Sequence, residues 1–168
     1  SFIHLGWPAS STPDYKFHKE NESASSLAVN TAQLCLEKSL NFFGIGSVAE
    51  TMSDSTPYSA SKAKTRLLLE GPISEKRLTW CRPFYVFDSH SWPLFVRESR
   101  LKGTVSIKDD SPRDFIHVDD VARGILSLID GGLGGDINIA SGVNTRPSDL
   151  LKSMGLNFEV VESQRYLS

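Results

Sequence analysis

A tyrosine and a lysine stand four residues apart in TPYSASKAK, residues 56–64, directly after a proline. With Thr56 as N-cap and Pro57 as the first helical residue, Tyr58 and Lys62 fall on one helix face. An ammonium beside a phenol stabilises the phenolate, lowering the tyrosine pKa from about 10 toward the working range. A tyrosine tuned in this way exchanges a proton with an alcohol or a ketone. Surface residues sharing one helix turn would show the same spacing, so the pair needs a setting. Ser47 provides it: the serine ends the run GIGS, at the carboxyl end of a strand, where open α/β sheets place their ligands. Its hydroxyl is positioned in the chain to hold the oxygen that Tyr58 protonates.

The elements that must carry these groups follow from hydrophobic periodicity. FIHLG (2–6) reads as a buried strand, and residues 22–37 have helical spacing through Leu27, Ala28, Val29, Ala32, Leu34 and Leu36. NFFGI (41–45) is a second strand, and Thr56 opens a helix to about Glu70. RLTWCRPFYV (77–86) is a third strand, interrupted near Pro83. Residues 88–100 read as a loop, 104–107 and 114–118 as short strands. Asp119 or Asp120 caps a helix to about Asp130, with Val121, Ala122, Ile125, Leu126 and Ile129 inward. The turn GGLGG (131–135), a strand at 136–140, a helix at 146–154 and a strand at 158–161 complete the chain. Strand and helix alternate throughout, which predicts an α/β fold with a mainly parallel sheet.

Composition narrows the function. The 168 residues are 39% hydrophobic and 23% charged with a net charge of −2, which gives no footing for a nucleic-acid or membrane-surface partner. No apolar run reaches the length of a membrane span and no signal peptide is visible, so a cytoplasmic protein is expected. Cys35 and Cys81 lack metal or redox spacing and are expected as reduced, buried thiols. No His, Cys and carboxylate cluster predicts a metal, and His4 and His117 read as core histidines. GIGSVA (44–49) formally fits the dinucleotide fingerprint G-x-G-x-x-G/A. A loop-like ETMSDSTP follows it where a long helix should open, so Ser47 is assigned to catalysis instead. The chain begins inside a strand without a methionine, which predicts an N-terminally incomplete sequence.

With YSASK behind GIGS, the sequence resembles the short-chain dehydrogenase/reductase superfamily, in its extended branch of nucleotide-sugar epimerases, dehydratases and reductases. FIHLGW (2–7) resembles the family's strand-end HLA segment, and Asn21 matches an asparagine in the next helix. CRPFYVF (81–87) resembles its R-x-F-N-x-Y-G strand end, RDFIHVDDVARGI (113–125) is close to its usual wording, and DINIASG (136–142) resembles NIGSG. The resemblance implies a Rossmann-like doubly wound parallel sheet whose first βαβ units are missing. Residues 1–87 would be the C-terminal part of the NAD(P)-binding domain, and 88–168 a smaller, mainly substrate-binding region with segments returning to the main sheet. It implies NAD or NADP as cofactor, held by Leu5, Gly6, Trp7, Tyr58, Lys62 and Pro83. The catalytic set would be Tyr58, Lys62, Ser47 and Asn21, with Asn21 supporting Lys62. A nucleotide-sugar substrate would meet Ser47, Tyr85 and Arg113, the arginine on its diphosphate; an ion pair of Arg113 with Asp109 or Asp110 is the competing reading. A homodimer stays open.

The sequence also departs from the family. The glycine-rich phosphate loop is absent, Tyr85 stands where asparagine is usual, and Asp88 where glycine is usual. Ser47 and Tyr58 lie closer in sequence than extended members place them. Dehydratases carry an Asp-Glu pair beside the catalytic hydroxyl; Val48 and Ala49 stand there and cannot move protons, with Glu50 one residue on. The resemblance therefore implies epimerisation or keto-reduction rather than elimination. The alternative is a non-catalytic, nucleotide-binding or regulatory member of the fold.

Overall fold

The structure is a computed structural model that describes residues 1–7, 14–52, 56–88 and 101–161. The loop read over 88–100 lies outside the described residues from 89 onward. The chain divides into two compact units, one of residues 1–84 with 119–139, the other of 85–118 with 140–168.

In the first unit, strands β1 (Phe2–His4), β2 (Phe42–Ile45), β3 (Leu78–Pro83) and β7 (Gly135–Ile139) form a four-stranded sheet in the order β1-β2-β3-β7. All of its pairings are parallel, as expected of strands joined by helical crossovers. β3 is buried at every position, whereas β1 lies at the edge with Phe2 41% and Ile3 38% exposed. The reading of 2–6 as a buried strand is corrected there: an apolar pattern reports the residues, and the position in the sheet decides what covers them.

Helix α1 (Asn21–Glu37) packs on α2 (Pro57–Leu68), which is followed by the short α3 (Glu70–Ser74). Thr56 caps α2 in a reciprocal capping box with Ser59, and Pro57 is its first residue, as the local sequence requires. The buried face of α1 is built from Asn21, Ala24, Ser25, Ala28, Ala32 and Cys35, while Leu27 and Leu34 are exposed. Small residues face inward because α2 comes close enough for the Thr65 hydroxyl to donate to the Ser25 hydroxyl at 2.8 Å. Cys35, Phe42, Leu69, Ile73, Leu78 and Trp80 belong to the core behind the sheet. Both cysteines are free and buried.

Helix α4 (Val118–Asp130) follows strand β6 (Arg113–His117) without a gap, so Asp119 and Asp120 lie in its first turn rather than capping it. Carboxylates there still complement the helix dipole. Of its expected inner face, Val121 and Ile125 are buried and Leu126 is 55% exposed.

In the second unit β4 (Tyr85–Phe87) pairs in parallel with β6 (Arg113–His117), and β6 pairs antiparallel with the two residues of β8 (Asn144–Thr145), a strand too short to show in the sequence. β5 (Val105–Ile107) pairs in parallel with β9 (Phe158–Val160). These strands and α5 (Pro147–Ser153) close a core on Val105, Ile107, Phe115 and Leu151. The Asp114 carboxylate accepts the backbone N–H groups of Ser141 and Gly142 at 2.8 and 2.7 Å, fixing the turn after β7.

Candidate active site

The site forms where β1 and β2 end and α2 begins. Ser47 follows β2 and is the N-cap of a single 3-10 turn, Val48–Thr51, its hydroxyl accepting the Ala49 amide at 3.2 Å. That turn packs on α2 and brings the Ser47 hydroxyl near enough to the Tyr58 phenol to act on its pKa. One turn further along α2, Lys62 is only 4% exposed and donates from Nζ to the Ile45 carbonyl at 2.6 Å. Ser47, Tyr58 and Lys62 are thus brought together.

Trp7 and Asn21 close the other side. The Trp7 indole lies 3.7 Å below the Lys62 ammonium and meets the Tyr58 ring edge-on at 6.2 Å. Asn21 accepts the indole N–H at 2.8 Å and gives its own N–H groups to the carbonyls of Tyr15 and His18, each at 2.8 Å. Asn21 thus holds the indole that lies against Lys62. Leu5 and Gly6 are exposed at the end of β1, and nothing lies within 4 Å of where a Gly6 Cβ would be. Pro83 is buried at the end of β3, paired with Ile139.

The electrostatics differ from the sequence expectation. Burial pushes the Tyr58 phenol up to about 12; the Ser47 hydrogen bond opposes this, and Tyr15 and Glu50 reinforce it. Burial also drives Lys62 down to about 7, opposed by the Glu50 carboxylate. Desolvation disfavours both charged forms and outweighs the pairing inferred from four-residue spacing. The ammonium stands 5.9 Å from the Tyr58 ring centroid and is not what tunes the phenol. At neutral pH the Tyr58 phenol keeps its proton.

The sequence reading missed the floor of the site. The Glu50 side chain is 1% exposed: one oxygen accepts Arg82 Nε at 2.6 Å and Trp80 Nε1 at 3.0 Å, the other the Ser47 amide at 3.3 Å. Arg82 continues to Asn138 at 2.7 Å and Asp136 at 2.9 Å. An arginine within the largely apolar strand run LTWCRP was the available signal, because a guanidinium buried there calls for a carboxylate partner. The same floor explains GIGSVA. A Cβ on Gly44 would lie 2.6 Å, and one on Gly46 2.5 Å, from the Trp80 ring, so these glycines admit an indole and open no phosphate-binding helix.

In the second unit Tyr85 and Arg113 come together, the guanidinium 5.1 Å from the ring centroid. Arg113 also pairs with Asp109 at 2.7 Å, the competing reading of that residue. Hydrogen bonds from Ser111, then from Arg113, hold Asp109 down at about 2. Asp110 instead accepts the Ser148 amide and hydroxyl at 2.8 and 2.9 Å, at the start of α5. His4 is half-buried beside Phe42, its pKa lowered by burial and then by Lys62; the His117 ring meets the edge of Phe87. Among the described residues no cluster could hold a metal, and no helix is long and apolar enough to cross a membrane.

A parallel sheet with Ser47, Tyr58 and Lys62 gathered at its carboxyl end is the architecture of a Rossmann-like α/β domain. Residues 42–140 match the NAD dependent epimerase/dehydratase family, and the chain belongs to that family. Similar folds include dTDP-glucose 4,6-dehydratase from Streptomyces venezuelae with NAD bound: 18% identity, TM-score 0.68, 97% of this chain and 61% of that one. RMD from Pseudomonas aeruginosa, complexed with NADPH, gives 22%, 0.67, 97% and 69%. UDP-N-acetylglucosamine 4-epimerase from Methanobrevibacter ruminantium gives 20%, 0.67, 97% and 64%. At these identities the likeness is one of fold, and the chain spans 61–69% of the lengths of these three. No curated protein matches the sequence.

The cofactor of this family is NAD. Gly6, exposed at the end of β1, leaves open backbone for such a nucleotide, whereas the Lys62 amine expected at its ribose is buried on the Ile45 carbonyl and the Trp7 indole. For the pyrophosphate, the described residues offer no glycine-rich turn opening a helix.

Proposed function

We propose that this chain carries the proton-transfer half of an NAD(P)-dependent enzyme acting on a nucleotide sugar, an epimerase or a keto-reductase. The observation that carries the reading is the gathering of three groups: the 3-10 turn capped by Ser47 packs on α2, which bears Tyr58 and, one turn on, the buried Lys62. Bound nicotinamide supplies or accepts the hydride. Tyr58 gives its proton to the sugar oxygen as a carbonyl is reduced and takes it back in the reverse direction. A phenol pushed up to about 12 is fully protonated at neutral pH, which suits the reducing direction. Ser47 orients the same oxygen, and Lys62 holds the ribose. Tyr85 and Arg113 of the second unit bind the substrate, the arginine taking the diphosphate with its fork of donors. Val48 and Ala49 carry no proton-transfer group, and the Glu50 carboxylate faces Arg82, so elimination of water lacks its base.

One observation favours a non-catalytic nucleotide-binding member instead: the Lys62 ammonium is already taken by the Ile45 carbonyl and the Trp7 indole. Tyr58→Phe in the full chain separates the two. Turnover of a nucleotide 4-keto-sugar with reduced nicotinamide should disappear while cofactor binding, read by nicotinamide fluorescence, stays. Unchanged turnover removes Tyr58 from the chemistry, and absence of turnover in both proteins supports the binding role.

A further inference from the structure

The end of β2 is held from two sides. Lys62 Nζ donates to the Ile45 carbonyl at 2.6 Å, and the Glu50 carboxylate accepts the Ser47 amide at 3.3 Å. Between them lies Gly46, whose amide bonds the Cys81 carbonyl at 2.7 Å and whose missing side chain leaves room for Trp80 and Glu50. Ser47, the residue so fixed, meets Tyr58.

We infer that Glu50 is a positioning residue: anchored on Arg82 and Trp80, it holds the Ser47 amide and so sets Ser47 beside the helix that carries Tyr58, and it supplies the buried negative charge of the site. The inference rests on the proposed reading for what Ser47 does, but the contacts stand without it. A buried carboxylate needs partners for both oxygens; one oxygen of Glu50 takes Arg82 and Trp80, and the partner of the other is the amide of a residue of the site. Its bond to Ser47 also closes the capping box of the 3-10 turn, so a change of charge or reach at Glu50 is transmitted to the serine. The groups bearing on Lys62 are Glu50 from that turn, His4 from β1, and Tyr58 and Trp7 around its ammonium. Glu50 is the carboxylate among them, and it favours the charged amine.

Two variants of the full chain test this. Glu50→Gln keeps the size and removes the charge, while Glu50→Asp keeps the charge and shortens the reach. Lys62 is followed by NMR of labelled lysine, assigned with Lys62→Met, and turnover by nicotinamide absorbance. In Glu50→Gln the Lys62 titration should move to lower pH, and kcat should fall about tenfold to a hundredfold, the scale of a small misplacement in a site, with KM held. Glu50→Asp should restore the Lys62 titration and leave kcat low. If Glu50→Gln leaves Arg82 too poorly paired to fold, Glu50→Gln with Arg82→Met removes both charges and must give the same Lys62 shift. A folded Glu50→Gln protein with lowered melting temperature but unmoved Lys62 titration and kcat overturns the inference. Should Tyr58→Phe retain turnover, the proposed reaction fails, and the Lys62 titration still judges Glu50.

Discussion

Replacing Lys62 by methionine removes the one amine that the fold holds in its interior beside Tyr58, and it should change how stability depends on pH. In the folded chain Lys62 titrates at about 7, against an ordinary value of 10.5. Between those values the unfolded chain binds a proton that the folded chain does not. Stability therefore rises with pH by up to about 1.4 kcal/mol per unit, or about 2 kcal/mol from pH 7 to pH 9. Other shifted groups leave that window clean. Burial raises Cys81 to about 11 and Tyr58 to about 12, so their stabilising contributions are lost only above the ordinary values of 9 and 10. His4 is lowered from 6.5, so its contribution falls away on the acid side. The slope is a better readout than stability at one pH. At neutral pH the shift amounts to about 4 kcal/mol on the same arithmetic, a net figure that includes whatever the Ile45 bond and the indole contact give the ammonium. Urea unfolding of cofactor-free protein at several pH values gives the midpoint and slope for each. The wild type should gain stability from pH 7 to 9 and Lys62→Met should not. Equal pH dependence in the two proteins would refute a buried, depressed Lys62.

Other outcomes follow from the same contacts. Arg113→Ala should weaken nucleotide-sugar binding by about 1.5–3 kcal/mol and leave NAD(P) affinity alone in a titration; no change for either ligand makes Arg113 simply the partner of Asp109. Gly46→Ala places a methyl 2.5 Å from Trp80 Nε1 and 2.9 Å from a Glu50 oxygen, so thermal unfolding should show a loss of about 1–3 kcal/mol, as for an overpacked core. An unchanged melting temperature would mean that the Trp80 indole does not sit over β2.

The sequence by itself determined the elements and the family wording. Thr56 and Pro57 define the start of α2 from local chemistry alone, and four-residue spacing puts Tyr58 and Lys62 on one face. Alternation of strand and helix was enough for the parallel sheet, and GIGS was enough to place Ser47 at a strand end. Only the tertiary structure decided which residues are buried and in what charge state. Periodicity could not tell that β1 lies at a sheet edge, or that Ala24, Ala28 and Ala32 rather than Leu27 and Leu34 line the inner face of α1, because each depends on the approach of another element. Spacing between Tyr58 and Lys62 predicted a lowered phenol pKa, yet burial pushes the phenol up and the amine down, since desolvation is a property of everything packed around a group. Glu50 and Arg82 stand 32 positions apart and meet only because β3 lies beside β2. A contact of that kind is set by sheet order, which no local pattern records.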